Sequence, residues 1–277
     1  MEILAPEYAD LKQKATNLKS NYTKAKPFPH IYFDDFFNAD FLKKVLNEFP
    51  DLDKQEDQIF YSNPNEEKHA SKGTEQFKEN TTKLVEFLNS QPFLDFLQEL
   101  TGIKEKLISD PDFEGGGFHQ IKPGGFLKIH VDFHKHRKMG LDRRLNLLIY
   151  LNEDWKEEYG GHFELWEKDM SACAVKIAPL FNRLAMFSTT GTSWHGHPDP
   201  LTCPPDRSRK SLALYYYSDG RPEEELDKSQ KGRVTTTFAL REGMDSADMR
   251  RYNTIVNLAN KILPNWLIKV LKSFRNK

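Results

Sequence analysis

The stretch GFHQIKPGGFLKIHVDF (117–133) decides the fold. It reads as two short apolar runs, GFHQI (117–121) and FLKIHVDF (126–133), parted by the turn signal PGG at 123–125. Pro presets φ and Gly reaches positive φ without a Cβ penalty, so the pattern is strand, turn, strand. Residues two apart in a strand project to the same face. His130 and Asp132 therefore point together, while Val131 faces the opposite layer. Further along, the same punctuation bounds LNLLIYLN (145–152), HFELW (162–166), CAVKI (173–177), RLAMFS (183–188) and SLALYYYS (211–218). Several short strands at regular spacing argue for an all-β barrel or sandwich from about residue 113 onward.

Two ligand-type side chains on one rigid strand are part of a metal site, and His195 in SWHGHPDPL (193–201) is the candidate for the third. Two imidazoles and a carboxylate can occupy one face of iron(II) and leave the other open, the arrangement of non-heme iron oxygenases. The separation is too long for a zinc finger, and clustered cysteines are lacking. Zn(II) in a hydrolytic site accepts the same donors and activates water, so a metallohydrolase is the first rival. A non-catalytic jelly-roll binding module is the second. His134, His136 and His197 lie beside the candidates, and His134 shares the strand parity of His130 and Asp132.

An oxygenase of this kind needs two electrons, usually from 2-oxoglutarate, whose distal carboxylate must be neutralised. Arg suits a buried carboxylate because its planar fork matches the anion. RKSLALYYY (209–217) places Arg209, Ser211, Ala213 and Tyr215 on one strand face, and Arg209 with Ser211 forms a candidate clamp. Tyr150 offers a phenolic donor. Lys210 has the opposite parity. A strand-end Arg is also commonly a solvated edge charge, and a strand Tyr is commonly core.

The chain has 277 residues, with 40 Lys and Arg against 41 Asp and Glu, so no global electrostatic drive toward nucleic acid is expected. No apolar run approaches a membrane span, and MEILAPEYADLKQK lacks the pattern of a secretory signal. Cys173 and Cys203 alone in a chain this long suit a reducing compartment, so a cytoplasmic location is expected. Residues 6–26 read as a polar surface helix or arm, and PFPHIYFDDFF (27–37) as a lead-in strand. Asn38 to Asp40 cap a helix over 41–49. The polar stretch 50–82 has few apolar anchors and reads as a long loop, a candidate lid. Residues 83–99 read as two helices broken at Pro92.

Past the barrel, 219–232 is polar and 246–275 reads as helix interrupted at Pro264. Lys261, Lys269, Lys272, Arg275 and Lys277, with Trp266, Leu267, Val270, Leu271 and Phe274, would make its end basic and amphipathic. Such a helix can dock on anionic membrane, or pack on the barrel or a second copy. The loop HKHRKMGLDRR (134–144) is either a solvated charge run or an attractor for an acidic substrate at the pocket mouth. The expected organisation is an N-terminal helical region with lid (1–112), a β core (113–220) and a mostly helical extension (221–277), together one structural domain.

Residues 118–219 resemble the iron(II)/2-oxoglutarate-dependent dioxygenases of the prolyl-4-hydroxylase-like superfamily. Their animal oxygen-sensing members are similar in the HVD strand, in IYYLNKDW (here LIYLNEDW, 148–155), in a Gly-Gly pair (Gly160-Gly161) and in FDRLLFF (here FNRLAMF, 181–187). Over roughly 27–220 the pattern is similar to a bacterial-type subgroup. The resemblance implies a double-stranded β-helix, a cupin-like jelly roll with flanking helices. It implies His130, Asp132 and His195 as metal ligands, since an ungapped count from Arg183 reaches His195 rather than His197. It implies Arg209, Ser211 and Tyr150 at 2-oxoglutarate. Fe(2+), 2-oxoglutarate and O2 are the implied cofactors, with L-ascorbate an accessory left open.

The implied reaction is hydroxylation of an unactivated C–H bond, with release of succinate and CO2. Asp132 favours it over halogenation, because halogenating relatives carry a small residue there. Two departures stand out: DPLTCPPDRS (199–208) lengthens the interval from His195 to Arg209, and Gln120 or a neighbour replaces a co-substrate tyrosine. Protein or peptide (prolyl included), amino acid and carbohydrate intermediates all stay open as substrates, as does the oligomeric state.

Overall fold

The alternation between residues 113 and 218 folds into antiparallel strands in a computed structural model that describes residues 2–226 and 234–262. The strands are β1 (His30–Phe33), β2 (Gln58–Asn63), β3 (Glu66–Ser71), β4 (Ile108–Ser109), β5 (Gly117–Ile121), β6 (Phe126–Val131), β7 (Asp142–Tyr150), β8 (Phe163–Trp166), β9 (Cys173–Ile177), β10 (Leu184–Ser188), β11 (His195–His197), β12 (Arg209–Ser218) and β13 (Thr237–Phe238). They join one sheet in the order β1-β10-β7-β12-β5-β3-β6-β11-β8-β9, with β2 beside β3, β4 beside β12 and β13 beside β6. The sheet curls into a nearly closed jelly-roll barrel. Phe163 and Leu165 of β8 and Ile177 of β9 meet Tyr150, Ala185 and Phe187 of β7 and β10 across its interior.

Strand parity separates the two faces. Leu145, Leu147 and Ile149 of β7, Leu184 and Met186 of β10, and Leu212, Leu214 and Tyr216 of β12 face outward into one apolar cluster with the helices. That explains why LNLLIY is a nearly continuous apolar run: both faces of β7 are covered. The helices on that face are α1 (Leu11–Thr23), α2 (Ala39–Glu48), α3 (Glu79–Leu88) and α4 (Gln91–Thr101). Each of their fully buried Leu or Phe side chains contributes roughly 1.5–3 kcal/mol of transfer free energy. Asn38 caps α2, its Oδ1 accepting from the Phe41 N–H at 3.0 Å. Pro92 lies in the first turn of α4, where a missing N–H costs nothing. The segment read as a surface arm is helix α1, anchored by a fully buried Tyr22 whose hydroxyl meets Ser188 Oγ at 2.8 Å.

The stretch 50–82 is not a long loop. It forms the β2–β3 hairpin, turned at Pro64-Asn65, and runs into α3. β3 is built into the sheet between β5 and β6. Its register, with His69 opposite Gln120 and Glu66 opposite Leu127, ties it to both neighbours. The hairpin escaped the apolar pattern because β3, EEKHAS, is almost wholly polar. After the barrel, β13 pairs with β6 at His130 and Val131, and α5 (Ala247–Ile262) follows. No helix among the described residues is long and apolar enough to cross a membrane. The basic amphipathic helix expected around Trp266 to Lys277 lies outside the described residues.

Candidate metal centre and anion pocket

β11 runs antiparallel to β6 with His195 directly opposite His130, and Asp132 follows the last residue of β6. The two imidazole centroids lie 4.3 Å apart. His130 Nε2 is 3.7 Å from Asp132 Oδ1, and His195 Nε2 is 3.4 Å from Asp132 Oδ2. These three, all buried, are the only cluster of three or more ligand-type side chains found among the described residues, with ligand atoms within 4.8 Å of one another. Each His Nδ1 sits 2.8 Å from a backbone carbonyl, that of Lys128 or Ser193. A carbonyl only accepts, so Nδ1 carries the proton and each Nε2 lone pair faces the shared point. Burial, with His195 adding to it, pushes His130 down to about 3, and burial lowers His195 as well. Two neutral imidazoles and one carboxylate converging in this way fit the donor set of iron(II).

Asp132 is held from behind. Asn146 Nδ2 donates to its Oδ2 at 2.6 Å, and Arg143 Nη2 lies 3.1 Å from the same oxygen. Burial alone would raise this carboxyl, but Arg143, then the two imidazoles and Asn146, hold it well below the usual range. Arg143 is itself buried. Its guanidinium carbon lies 3.4 Å from the Tyr215 ring centroid and 4.5 Å from that of Phe133, and its Nε donates to Asn146 Oδ1 at 2.8 Å.

Arg143, Asn146 and Tyr215 were not singled out as site residues from sequence. Asn146 carried a signal, since it interrupts an apolar run at the parity of Tyr150. Arg143 carried none. By parity it belongs with Leu145 on the helix side, but a register shift at Tyr216/Tyr217 turns it inward opposite Tyr217.

The neighbouring histidines separate. His136 is fixed structurally, its Nε2 3.3 Å from Asp110 Oδ1 and its Nδ1 accepting from the Lys138 and Met139 N–H groups. His134 is fully buried and outside the ligand cluster. His197 lies opposite Leu127, across a register shift that follows His195.

The second half of the pocket is β12 against β7 and β5. Ser211 faces Tyr150 on one side and His119 on the other, and Arg209 faces Ile121. Arg209, Ser211 and Tyr150 are all buried. Arg209 Nε donates to the Gly161 carbonyl at 2.8 Å, and its Nη2 to Tyr150 Oη at 3.3 Å. Among the described residues no carboxylate pairs with this guanidinium. A Cβ at Gly161, where φ is +72°, would lie 3.0 Å from Arg209 Cδ and 2.6 Å from Leu201 Cδ2, so a side chain here would be strained and would press on the arginine. Gln120 points away from the pocket, accepting from Leu52 N–H at 2.8 Å and donating to Ser208 Oγ at 3.0 Å. Its neighbour His119 is the one beside Ser211.

The charges of the basic loop are mostly paired, and several of them are also solvated. Lys135 pairs with Asp142, Arg137 with Glu114 and Lys138 with Asp112. Arg144 is buried between Glu105 and Glu225. Arg143 turns inward, and its partner there is Asp132.

Residues 116–217, the segment from β5 to β12 that holds His130, Asp132, His195, Arg209, Ser211 and Tyr150, match the family model of the 2OG-Fe(II) oxygenase superfamily. A Pseudomonas putida prolyl-4-hydroxylase is similar in structure, with TM-score 0.53 and 16% identity, covering 75% of this chain and 100% of its own. A Trichoplax adhaerens prolyl hydroxylase, solved with a peptide fragment of the hypoxia inducible factor oxygen degradation domain, gives 0.57 and 16%, covering 77% and 94%. A Phytophthora capsici prolyl 4-hydroxylase gives 0.50 and 18%, covering 78% and 67%. Among curated proteins no sequence matches. At these identities the likeness is one of fold.

Proposed function

Because residues 116–217 match the family model of the 2OG-Fe(II) oxygenase superfamily, we propose that this chain is a hydroxylase acting on an unactivated C–H bond, with release of succinate and CO2. His130, Asp132 and His195 would hold iron(II) through two Nε2 atoms and a carboxylate. When bound, iron(II) and 2-oxoglutarate supply the activation of O2 on which hydroxylation depends. Arg143 and Asn146 keep Asp132 ionised and fix its rotamer. Arg209 and Tyr150, with Ser211 opposite, receive the distal carboxylate of 2-oxoglutarate. The barrel wall excludes water from both halves of the pocket, which strengthens each of these contacts.

The observation that carries this reading is Arg209. A buried guanidinium without a carboxylate partner is costly unless a ligand supplies the anion. Here it sits on the same barrel interior as the three ligands. A hydrolytic zinc site leaves that arginine without a task. The reading is tested by anaerobic loading with Fe(II) and 2-oxoglutarate, then exposure to air. A visible charge-transfer band followed by succinate release is expected. A metal-loaded protein that neither binds nor consumes 2-oxoglutarate refutes it.

For the substrate, the peptide complex of the Trichoplax adhaerens enzyme supports a protein or peptide as the first class to screen, prolyl residues included. Amino acids and carbohydrate intermediates are the other arms of that screen, with substrate-stimulated succinate as the readout. A cytoplasmic setting is part of this proposal and rests on the sequence argument alone, that two cysteines in a chain this long suit a reducing compartment.

A further inference from the structure

The near-balance of charge in this chain conceals a segregation. Residues 249–277 carry seven Lys or Arg and no Asp or Glu, so the residues before them hold 33 basic against all 41 acidic side chains. The first part of this basic stretch is α5, which is mounted on the body by one face. Met249 is fully buried, and Asn253 Oδ1 accepts from Asn65 Nδ2 of the hairpin turn at 2.8 Å. The other face is turned to solvent. Arg251, Ile255 and Leu258, spaced four and three residues apart, are all exposed, the last two at 61% and 56%. Met244, just before the helix, is exposed as well. Of the large hydrophobic side chains exposed among the described residues, only Tyr32 and Phe60 lie elsewhere, so the exposure is concentrated here rather than scattered.

We propose that the C-terminal segment, from α5 onward, docks on the surface of an anionic lipid bilayer. Charge complementarity selects that partner. A basic stretch that serves nucleic acid alone has no use for an apolar face. One that lies on a bilayer needs both, since apolar side chains enter the acyl boundary while Lys and Arg meet the headgroups. The sequence after α5 continues the pairing, with Trp266 and Phe274 set among Lys269, Lys272, Arg275 and Lys277. Charges recur along the whole stretch, so it lies on a surface rather than spanning it. The acidic remainder of the chain is repelled by an anionic surface, which leaves the basic segment as the part that approaches. α5 follows β13, and β13 pairs with β6 at His130, so the docking segment is joined to the strand that carries a candidate metal ligand.

The test mixes the full chain with vesicles of phosphatidylcholine, alone or with phosphatidylserine added, and reads the bound fraction by flotation at low and high salt. Binding to the anionic vesicles is expected to be about tenfold tighter than to the neutral ones, or more, and to fall as salt screens the charges. Two paired variants separate the apolar and the charged contributions: Ile255→Ser with Leu258→Ser, and Lys269→Glu with Lys272→Glu. Each pair is expected to weaken binding to the anionic vesicles about tenfold while leaving the melting temperature at its wild-type value. Should the α5 pair lower the melting temperature, the lysine pair decides alone. Absence of vesicle binding, equal binding to both kinds of vesicle, or binding that neither variant weakens overturns the proposal. So does a solution dimer that Ile255→Ser with Leu258→Ser dissociates while the wild type ignores vesicles, which makes a second copy the occupant of this face.

Discussion

Replacing Arg143 by Met tests the support behind Asp132, the candidate metal carboxylate. Met keeps apolar contact with the Tyr215 and Phe133 rings that flank the guanidinium at 3.4 and 4.5 Å. What is lost is the ion pair to Asp132 at 3.1 Å and the Nε donor to Asn146. Asp132 then keeps Asn146 but sits buried without its main counter-charge. Stripping one partner from a buried pair costs ~3–5 kcal/mol. For a chain of this size that corresponds to a fall of roughly 10 °C in the melting temperature of the metal-free protein. A divalent ion restores the missing positive charge, so loading with Mn(II) is expected to stabilise the variant more than the wild type.

The pH dependence follows from the sign of the shift. In the wild type the Asp132 carboxyl is depressed. Its contribution to stability is therefore present above the unfolded carboxyl value and lost only as pH falls through the depressed one. In Arg143→Met burial acts with less opposition and the carboxyl moves up, so metal affinity begins to fall at a higher pH. Melting curves and Mn(II) titrations across the acidic range read both effects. A variant with wild-type melting temperature and an unchanged pH profile of metal binding would refute the argument.

Arg209→Ala is expected to raise the 2-oxoglutarate requirement by about tenfold to a hundredfold through loss of charge-assisted bonds, with Mn(II) affinity retained or raised; equal loss of both would remove Arg209 from the co-substrate site. Gly161→Ala places a Cβ 2.6 Å from Leu201 and 3.0 Å from Arg209 at a positive φ, and is expected to cost roughly 1–3 kcal/mol in urea unfolding and to weaken 2-oxoglutarate. Asp132→Ala is expected to abolish turnover and metal retention after dialysis. Its two histidines alone holding the metal as tightly as the wild type would exclude Asp132 as a ligand.

The barrel was legible because its strands carry period-two alternation and Gly/Pro punctuation, both local signals. His130 and Asp132 were legible as a pair for the same reason. His195 was named as the third candidate from sequence, but its position opposite His130 depends on pairing between distant strands, which no local pattern encodes. Arg143 was hidden by a shift of register between β7 and β12, an event that parity counting cannot register. The β2–β3 hairpin was hidden by its own polarity, because Glu66 and Lys68 pair with each other on a strand that apolar patterning would have scored as loop. Phe238, whose ring lies 5.4 Å from that of His130, reaches the site through a two-residue strand too short to show any period.

Arg209, which has no carboxylate partner among the described residues, has a thermodynamic consequence. A barrel interior that holds a guanidinium with no counter-ion resists taking up a divalent cation by itself, since one more positive charge meets an existing field in a medium that screens poorly. A dianion arriving at Arg209 removes that resistance, and a metal already in place attracts the dianion in return. By linkage the two enhancements are equal. Metal and co-substrate should therefore load as a cooperative pair, each sharpening the other's binding isotherm by the same factor.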